Sequence, residues 1–345
     1  MLDPQPARAR PHIYGHRGAP GYVPENTLGS YALAAAAGVE FVELDLVCSK
    51  DGHLVCRHEP NLVESTDVAR RPEFADRWCE IEVDGRLEQG WFTVDFTLDE
   101  LRTLRAGEPL PHLRGHATET DVEWRIPSID EVLALRAEVS TDRGWELGLI
   151  PEIKHSSLFH LLGFDPEALL LAALGRAGLD DAGPLVRIES FELSNLTRLR
   201  TALGYQGVLV FLVEDSGRPP DHALTGDHRT YTELLAPGAL EALVAVVDAI
   251  GPSKHLVIGR TPEDRLGDPT SLVADAHAVG LEVTPWTFRA ENLFLPGEYR
   301  SSAEPAELGD LAAELHAFFA AGVDAVFCDH PDLAVAARDA YVSHG

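Results

Sequence analysis

Short apolar runs alternate with amphipathic segments along the whole of this 345-residue chain. Eight of the runs have the length of a β-strand, and most are continuously apolar, which is typical of strands buried on both faces of a parallel sheet. Residues with helical spacing occupy most of the intervals between them. The predicted strands are 12–15, 41–47, 147–153, 185–190, 207–213, 246–250, 281–288 and 325–329.

Together with the helices between them, these strands predict one α/β fold. The predicted helices are 27–37, 166–177, 193–201, 272–279, 307–320 and 331–340. Eight strands in strand–helix alternation are typical of a closed TIM (β/α)8 barrel. An open doubly wound sheet has the same local pattern, but it usually has fewer strands, and no Gly-x-Gly-x-x-Gly sequence opens a helix here. We therefore expect the barrel.

One interval interrupts the alternation. Between about Glu59 and Thr97 the sequence is mostly polar and carries no strand–helix unit, although it contains Trp78 and Trp91. Long intervals of this kind inside a compact domain are usually lids or small inserted subdomains. We therefore expect a single barrel domain over residues 1–345, with a small insertion after the second strand that forms a cap region at about 59–97.

The charge of the chain limits its partners. It has 28 Lys and Arg against 56 Asp and Glu, a formal net charge of −28. This argues against a nucleic-acid-binding protein, because affinity for nucleic acid comes largely from cations that neutralise phosphates. No run of about 18 apolar residues predicts a membrane span. The absence of a secretory signal and the four scattered cysteines predict a cytoplasmic location, whereas the oligomeric state is left open.

Acidic residues stand where strands of the predicted barrel end, which is where active sites of such barrels lie. Glu43 and Asp45 are two apart on the second strand and so share a face, and Glu152 ends the third strand. Because ionised carboxylates are not buried unpaired, their convergence predicts a hard divalent cation, Ca²⁺ or Mg²⁺. The alternative is a purely structural network in which they pair with Arg17 and Lys154.

Two histidines and two cations complete the candidate site. His16 follows the first strand, and His58 lies on the segment that returns from the second. Histidines beside a metal can act as general acid and general base, because their ordinary pKa lies near neutrality. Arg17 and Lys154 are suited to holding an anion, and phosphate is a natural ligand for this combination.

Further motifs carry a resemblance to a known family. They include His16-Arg17-Gly18, Pro24-Glu25-Asn26-Thr27, Glu43-Leu44-Asp45, Lys50-Asp51-Gly52, His58, Pro151-Glu152-Ile153-Lys154, Glu189-Ser190-Phe191 and Pro285-Trp286-Thr287-Phe288-Arg289. In order and over nearly the whole chain, they resemble the glycerophosphodiester phosphodiesterase family, in particular its longer, periplasmic-type bacterial members.

The resemblance implies roles for these residues on a TIM barrel with an insertion after strand two. His16 and His58 would be the acid/base pair. The residues that would bind Ca²⁺ or Mg²⁺ are Glu43, Asp45 and Glu152. Arg17 and Lys154 would contact the phosphate of the substrate. Other parts of the substrate would contact Glu189, Phe191, Trp286 and Phe288. The three aromatic residues among them would form the apolar side of a glycerol pocket.

Three positions depart from the family pattern. Thr284 and Trp286 stand where many relatives carry His and Tyr, and Glu189 stands where Gln is frequent. These departures do not change the predicted metal ligands or histidines. They lie in the part of the pocket that would bind the alcohol moiety of the substrate.

The resemblance also implies a reaction. It is metal-dependent hydrolysis of a small glycerophosphodiester, such as glycerophosphocholine or glycerophosphoethanolamine, to glycerol 3-phosphate and an alcohol. One alternative is a phospholipase-type phosphodiesterase acting on lipids, which would need an exposed membrane-facing loop. Another is a catalytically silent barrel that only binds a phosphorylated ligand, and such a barrel would be expected to lack one of the histidines or carboxylates.

Overall fold

Eight parallel strands form a barrel in the computed structural model, which describes residues 10–115, 122–180, 183–221, 226 and 228–343. In chain order, the strands of the described residues are β1 His12–Gly15, β2 Phe41–Cys48, β3 Leu54–Cys56, β4 Cys79–Val83, β5 Arg86–Gly90, β6 Gly148–Ile153, β7 Arg187–Ser190, β8 Val208–Val213, β9 Ala249–Pro252, β10 Ile258–Arg260, β11 Leu266–Pro269, β12 Glu282–Val283 and β13 Ala325–Cys328.

The barrel strands follow one another in the order β1, β2, β6, β7, β8, β9, β12 and β13, with parallel pairing between neighbours, and β13 pairs again with β1. Between β12 and β13 the circle is completed beyond the strand ends. There the amide of Phe288 donates to the carbonyl of Phe327 at 2.8 Å, and the amide of Phe327 donates to the carbonyl of Pro285 at 3.2 Å. The predicted α/β barrel is therefore confirmed.

Helices surround the barrel and connect its strands. They are α1 Leu28–Ala37, α2 Leu98–Leu101, α3 Ile129–Arg143, α4 Ser156–Leu161, α5 Pro166–Arg176, α6 Leu193–Thr201, α7 Tyr231–Leu234, α8 Pro237–Leu243, α9 Lys254–Val257, α10 Leu272–Val279, α11 Leu311–Ala321 and α12 Pro331–Ser343. In the described part of the chain, no helix is long and apolar enough to cross a bilayer.

Several predicted elements have different bounds in the structure, as three of them illustrate. The strand expected at 281–288 ends at Val283, and Pro285, which has no amide hydrogen to donate, follows it. The strand expected at 246–250 lies at 249–252. The helix expected from 307 begins at Leu311, because Asp310 caps it by accepting a hydrogen bond from the amide of Ala313.

Six helices were not predicted from the sequence, and the longest of them is α3; the others are α2, α4, α7, α8 and α9. The start of α3 is marked by a capping box in which Ser128 and Glu131 exchange side-chain-to-backbone hydrogen bonds. The serine and the glutamate three residues later are the sequence feature that predicts such a start.

The interval 59–97 contains the antiparallel hairpin β4–β5 and three short 3-10 helices, Val68–Arg70, Pro72–Arg77 and Thr93–Asp95. It packs around aromatic side chains, and the indole of Trp91 donates to the carbonyl of Phe74 at 2.6 Å. Irregular chain also follows α2 as far as Gly115, and it precedes α3 from Val122 to Ser128.

The register of the strands decides which polar side chains meet. Asp45 on β2 is aligned with Glu152 on β6, and Glu152 is aligned with Glu189 on β7. Residues aligned in a parallel sheet lie on the same face, so these three carboxylates form one row across three adjacent strands. Glu43, two residues before Asp45, shares that face one step further down the barrel.

Candidate active site

A cavity of about 770 Å³ opens at the carboxyl ends of the barrel strands. Nine of the eleven residues predicted for the site line it, namely His16, Arg17, Glu43, His58, Glu152, Lys154, Glu189, Phe191 and Trp286. The other two lie elsewhere. Asp45 is buried just behind the cavity wall, and Phe288 is buried in the core, where its ring meets that of Phe318 at a centroid distance of 4.8 Å.

Glu43, Glu152 and Glu189 form a carboxylate cluster at the floor of the cavity. Each offers one oxygen, and these oxygens lie within 4.8 Å of one another. All three side chains are buried, and Glu43 Oε1 and Glu189 Oε2 have no hydrogen-bond partner. Burial, reinforced by the neighbouring carboxylates, raises the pKa of Glu43 and of Glu189 well above the ordinary range. Unpartnered oxygens at this spacing suit a divalent cation.

Asp45 has a different environment. Its Oδ2 accepts from Asn26 Nδ2 at 2.7 Å and lies 3.1 Å from Arg17 Nε. Burial alone would raise the pKa of Asp45, but Arg17 together with His58 and Lys154 holds it well below the ordinary range. Its Oδ1 is 3.8 Å from Lys154 Nζ and has no hydrogen-bond partner.

The predicted structural ion-pair network is therefore present only in part. Arg17 pairs with Asp45 and with Glu25, at 2.8 Å from Nη1 to Oε2, and Lys154 Nζ lies 3.1 Å from Glu152 Oε1. Buried carboxylates still outnumber buried cations in the described residues of this region. The carboxylates are Glu25, Glu43, Asp45, Glu152 and Glu189, and the cations are Arg17, Arg57 and Lys154. The surplus carboxylates are therefore available to a divalent cation.

His16 is held from behind by a carboxylate. Its Nδ1 lies 2.6 Å from Oδ1 of Asp329, which directly follows β13. Burial alone would raise the pKa of Asp329, but Arg289 and Arg114 hold it well below the ordinary range, so Asp329 is ionised and accepts the Nδ1 hydrogen. Burial, with Arg17, lowers the pKa of His16 and favours the neutral ring. Its Nε2 is the nitrogen left for chemistry in the cavity.

His58 has a similar partner on the other side of the cavity. Its Nδ1 lies 2.7 Å from Oε1 of Glu59, the next residue in the chain. Burial, with Arg17 and Lys154, lowers the pKa of His58 to about 4. The other oxygen of Glu59 lies 3.7 Å from Nε2 of His155. His58 is thus also a neutral ring near pH 7, with Nδ1 occupied.

A third histidine ties the inserted hairpin to the site. His155 Nδ1 lies 2.9 Å from Oδ2 of Asp84, at the turn between β4 and β5. Burial alone would lower the pKa of His155, but its hydrogen bond to Asp84 and the nearby carboxylate of Glu59 raise it to about 9. The hairpin contributes Val83, Asp84, Arg86 and Glu88 to the cavity wall.

Aromatic side chains form one side of the cavity. The rings of Phe191 and Trp286 meet edge to face at 5.6 Å, and Tyr231, which sequence reasoning did not identify, also lines the wall. Thr284 is buried below it and does not reach the cavity. The predicted apolar side therefore consists of Phe191, Trp286 and Tyr231, and Phe288 is not part of it.

Sequence reasoning also missed the partners of the histidines. Asp329 stands at the end of a predicted strand, the position at which functional residues of barrels occur, so its position was a usable indication. Glu59 is adjacent to His58, but adjacency alone predicts no contact. Arg114 lies on an irregular segment, and no feature of the sequence indicated that it contacts Asp329.

The cavity combines carboxylates suited to a divalent cation with two neutral histidines and two cations. This combination is typical of sites that act on phosphate esters. Comparison with known proteins agrees. Residues 16–333 match the model of the glycerophosphoryl diester phosphodiesterase family. A glycerophosphodiester phosphodiesterase of Arabidopsis thaliana is 34% identical over 304 residues, which cover 84% of this chain and 78% of that protein.

A bacterial relative and two solved structures extend the likeness. A glycerophosphodiester phosphodiesterase of Haemophilus influenzae is 28% identical over 345 residues, covering 94% of this chain and 88% of that protein. A crystal structure from Silicibacter pomeroyi shares the fold with a TM-score of 0.66 at 23% identity, covering 97% of this chain and 96% of that one. A phosphodiesterase from Oleispira antarctica, solved with the product sn-glycerol-3-phosphate, has a TM-score of 0.63 at 21% identity, with coverage of 95% and 97%.

This chain belongs to the glycerophosphoryl diester phosphodiesterase family. It is accordingly a phosphoric diester hydrolase, as the motifs of its sequence implied.

Proposed function

We propose that this enzyme hydrolyses small glycerophosphodiesters, such as glycerophosphocholine and glycerophosphoethanolamine, to glycerol 3-phosphate and an alcohol with the help of a bound Ca²⁺ or Mg²⁺. The observation that carries the proposal is the cluster of Glu43, Glu152 and Glu189, whose oxygens lie within 4.8 Å of one another in a cavity that His16 and His58 also line.

The cation site is assigned to four carboxylates. Glu43, Asp45 and Glu152 were expected as ligands from the sequence, and Glu189, expected to contact the substrate, joins them because its carboxylate lies in the same cluster. The unpartnered oxygens of Glu43, Asp45 and Glu189 support this assignment. A divalent cation bound there would polarise a phosphoryl oxygen and lower the pKa of a hydroxyl beside it.

Arg17 and Lys154 would hold the phosphate. Both line the cavity beside the carboxylate cluster, and their own ion pairs with Asp45 and Glu152 fix their positions before a substrate arrives. A guanidinium and an ammonium on one side of the phosphorus stabilise charge that develops on the equatorial oxygens. They also supply the local positive charge that an anionic substrate needs on a protein of net charge −28.

His16 and His58 would divide the proton transfers. Both rings are neutral with Nδ1 held by a carboxylate, so each has Nε2 for a proton. One accepts the proton of the attacking hydroxyl, and the other, protonated in the complex, donates to the departing headgroup oxygen. The attacking hydroxyl belongs either to water or to the 2-hydroxyl of the glycerol itself. In the second case the intermediate is a cyclic phosphate.

The rest of the cavity would bind the two alcohol moieties. Phe191 and Trp286 offer an apolar wall suited to the carbon face of glycerol. We assign the segment 59–97 as a cap, because its hairpin supplies part of the cavity wall and is fastened to the rim by Asp84 and His155. A closed wall of this kind favours a small soluble substrate.

The test is release of glycerol 3-phosphate from glycerophosphocholine by protein stripped with EDTA and then given Ca²⁺ or Mg²⁺. Restored release with either cation supports both reaction and metal dependence. A parallel sample with lysophosphatidylcholine tests the lipid alternative. Choline is measured there, because the other product would be an acylated glycerol phosphate, and we expect much slower release of choline than from glycerophosphocholine. Folded, metal-loaded protein that releases nothing from any diester would instead be a binding-only barrel, and the proposal would be wrong.

A further inference from the structure

Asp329 stands at the centre of a buried network that ends on His16. Its side chain is 2% exposed. Oδ1 accepts from His16 Nδ1 at 2.6 Å, and Oδ2 accepts from Arg114 Nη2 at 2.6 Å and from Arg289 Nε at 2.9 Å. Every contact is charge-assisted, and together they occupy both oxygens of the carboxylate.

The network is anchored from two parts of the chain that are distant in sequence. Arg289 lies on the segment that follows β12. Arg114 lies between α2 and α3, is 3% exposed, and is fixed in turn by Glu291, whose Oε1 accepts from Arg114 Nε at 2.5 Å. The irregular segment beyond β3 thus reaches the residue that holds His16.

The arrangement restricts His16 in two ways. An ionised carboxylate accepts hydrogen bonds and donates none, so Nδ1 must carry the hydrogen and Nε2 must present its lone pair. The ring also loses rotation about its side-chain bonds, because Asp329 cannot move without breaking its bonds to the guanidinium groups of the buried Arg114 and the half-buried Arg289. Breaking one partner of such a buried pair is costly, which keeps the carboxylate in place.

We propose that Asp329 is a positioning residue that fixes the orientation and tautomer of His16, and that Arg114 serves the reaction by holding Asp329 in place. The proposal rests on the role of His16 given above. It goes beyond that role by assigning a task to two residues that do not bind metal or phosphate.

The decisive experiment compares Asp329→Asn in the wild-type and His16→Ala backgrounds. Asparagine keeps the shape, but its amide can donate to Nδ1 and stabilise the wrong tautomer. We expect kcat for glycerophosphocholine to fall by about 10²-fold or more, with KM changed by less than about threefold. In the His16→Ala background the same substitution should cause almost no further loss, since Asp329 acts only through His16.

Asp324→Asn is the matched control. Asp324 directly precedes β13 as Asp329 directly follows it, and its Oδ2 accepts from His277 Nε2 at 2.8 Å and from the amide of Val283 at 2.7 Å. This histidine–aspartate pair lies at the end of the barrel away from the cavity. We expect its removal to leave kcat within about threefold of wild type. A loss equal to that of Asp329→Asn would mean that either change acts through general destabilisation.

Arg114→Lys tests the outer part of the network. Lysine keeps one positive charge but not the two directed hydrogen bonds, so kcat should fall less than in Asp329→Asn, by about tenfold. This loss, too, should vanish in the His16→Ala background. An undiminished loss in that background would overturn the role assigned to Arg114.

Nitrogen NMR of labelled histidine keeps the proposal testable if Asp329→Asn does not fold. The His16 signals are identified by their absence in His16→Ala. Wild-type protein should show His16 as the tautomer with hydrogen on Nδ1, and the opposite tautomer would overturn the proposal. Inactive wild-type protein with the expected tautomer would contradict the proposed function instead, so the two failures are distinguishable.

Discussion

The two histidines at the mouth of the barrel have the same immediate geometry and different surroundings. In each, Nδ1 meets a carboxylate oxygen, at 2.6 Å for His16 and 2.7 Å for His58. The side chains of His16 and Asp329 are 11% and 2% exposed, whereas those of His58 and Glu59 are 30% and 45% exposed. One pair is enclosed in the barrel, and the other is only partly buried and faces the inserted hairpin.

The difference shows that a similar contact has different energetic consequences in the two places. Around Asp329 the hydrogen bonds are shielded from water, so each is strong and the loss of one leaves a buried charge without compensation. Around Glu59, water can replace a lost partner at little cost. We therefore expect the His16 pair to be rigid and sensitive to substitution, and the His58 pair to be adjustable and tolerant.

The largest expected effect does not distinguish the pairs. His16→Ala and His58→Ala should each lower kcat by about 10²–10⁴-fold, because each removes one proton-transfer group. Thermal unfolding and calorimetric cation binding should remain close to wild type. Turnover at the wild-type rate in either variant would refute the catalytic role of that histidine.

The next largest effect on kcat is expected to differ between the two histidine–carboxylate pairs. Glu59→Gln should reduce kcat by less than about tenfold, well short of the loss expected for Asp329→Asn, because water can substitute for the exposed carboxylate. Steady-state kinetics of the two variants on glycerophosphocholine measures the difference. Equal losses would show that exposure does not govern how strongly a carboxylate controls its histidine.

The carboxylate cluster shares the cavity with both histidines, and substitutions there should leave both histidines in place while weakening cation binding. Glu152→Gln and Glu189→Gln should each lower the affinity for Ca²⁺ at least about tenfold, since even an outer-sphere partner of a metal contributes that much. Titration calorimetry of metal-free protein measures this without reference to activity.

Glu192→Gln is the control for these titrations. Glu192 is a buried acid of the same cavity whose Oε2 accepts from the amide of Ser157 at 2.9 Å, and it lies outside the cluster. We expect the Glu192→Gln variant to bind Ca²⁺ with the affinity of the wild-type protein. Unchanged affinity in Glu152→Gln or Glu189→Gln would remove that residue from the assigned ligands.

The smallest expected effect is on the thermal stability of the β4–β5 hairpin, which lines the cavity together with His58. The pKa of His155 is raised from 6.5 to about 9, so its pairing with Asp84 stabilises the fold fully below pH 6.5 and is lost as the pH rises through about 9. Asp84→Asn should lower the melting temperature by roughly 2 °C at pH 6. It should have no effect at pH 10.

Asparagine is a matched replacement at this turn, because Asp84 has a φ of +47°, and asparagine tolerates that region as well as aspartate does. A difference in melting temperature that persists at pH 10 would mean that the ion pair with His155 does not fasten the hairpin.

How much of this arrangement could be predicted from the sequence depends on the distance over which residues interact. The alternation of apolar runs was sufficient to predict the barrel. The positions of Glu43, Glu152 and Glu189 on or at the ends of strands were sufficient to predict that they line one cavity. Phe288 was misplaced for a local reason. A regular strand through 288 would put Trp286 and Phe288 on the same face, but β12 ends at Val283 and the alternation stops there.

The contact between Arg114 and Asp329 was beyond prediction for a different reason. The two residues are 215 positions apart, and Arg114 lies on a segment without regular periodicity. No propensity or spacing rule relates such positions. The same holds for the pairing of Asp84 with His155 across 71 positions.

We infer that two histidine–carboxylate pairs carry out two different proton transfers around one cation site. The most direct test compares His16→Ala and His58→Ala on glycerophosphocholine and on the p-nitrophenyl ester of glycerol 3-phosphate, whose leaving group needs no proton. We predict that one variant recovers most of its lost kcat on the nitrophenyl ester and that the other does not, which identifies the acid and the base. Equal impairment of both variants on both substrates would contradict the claim.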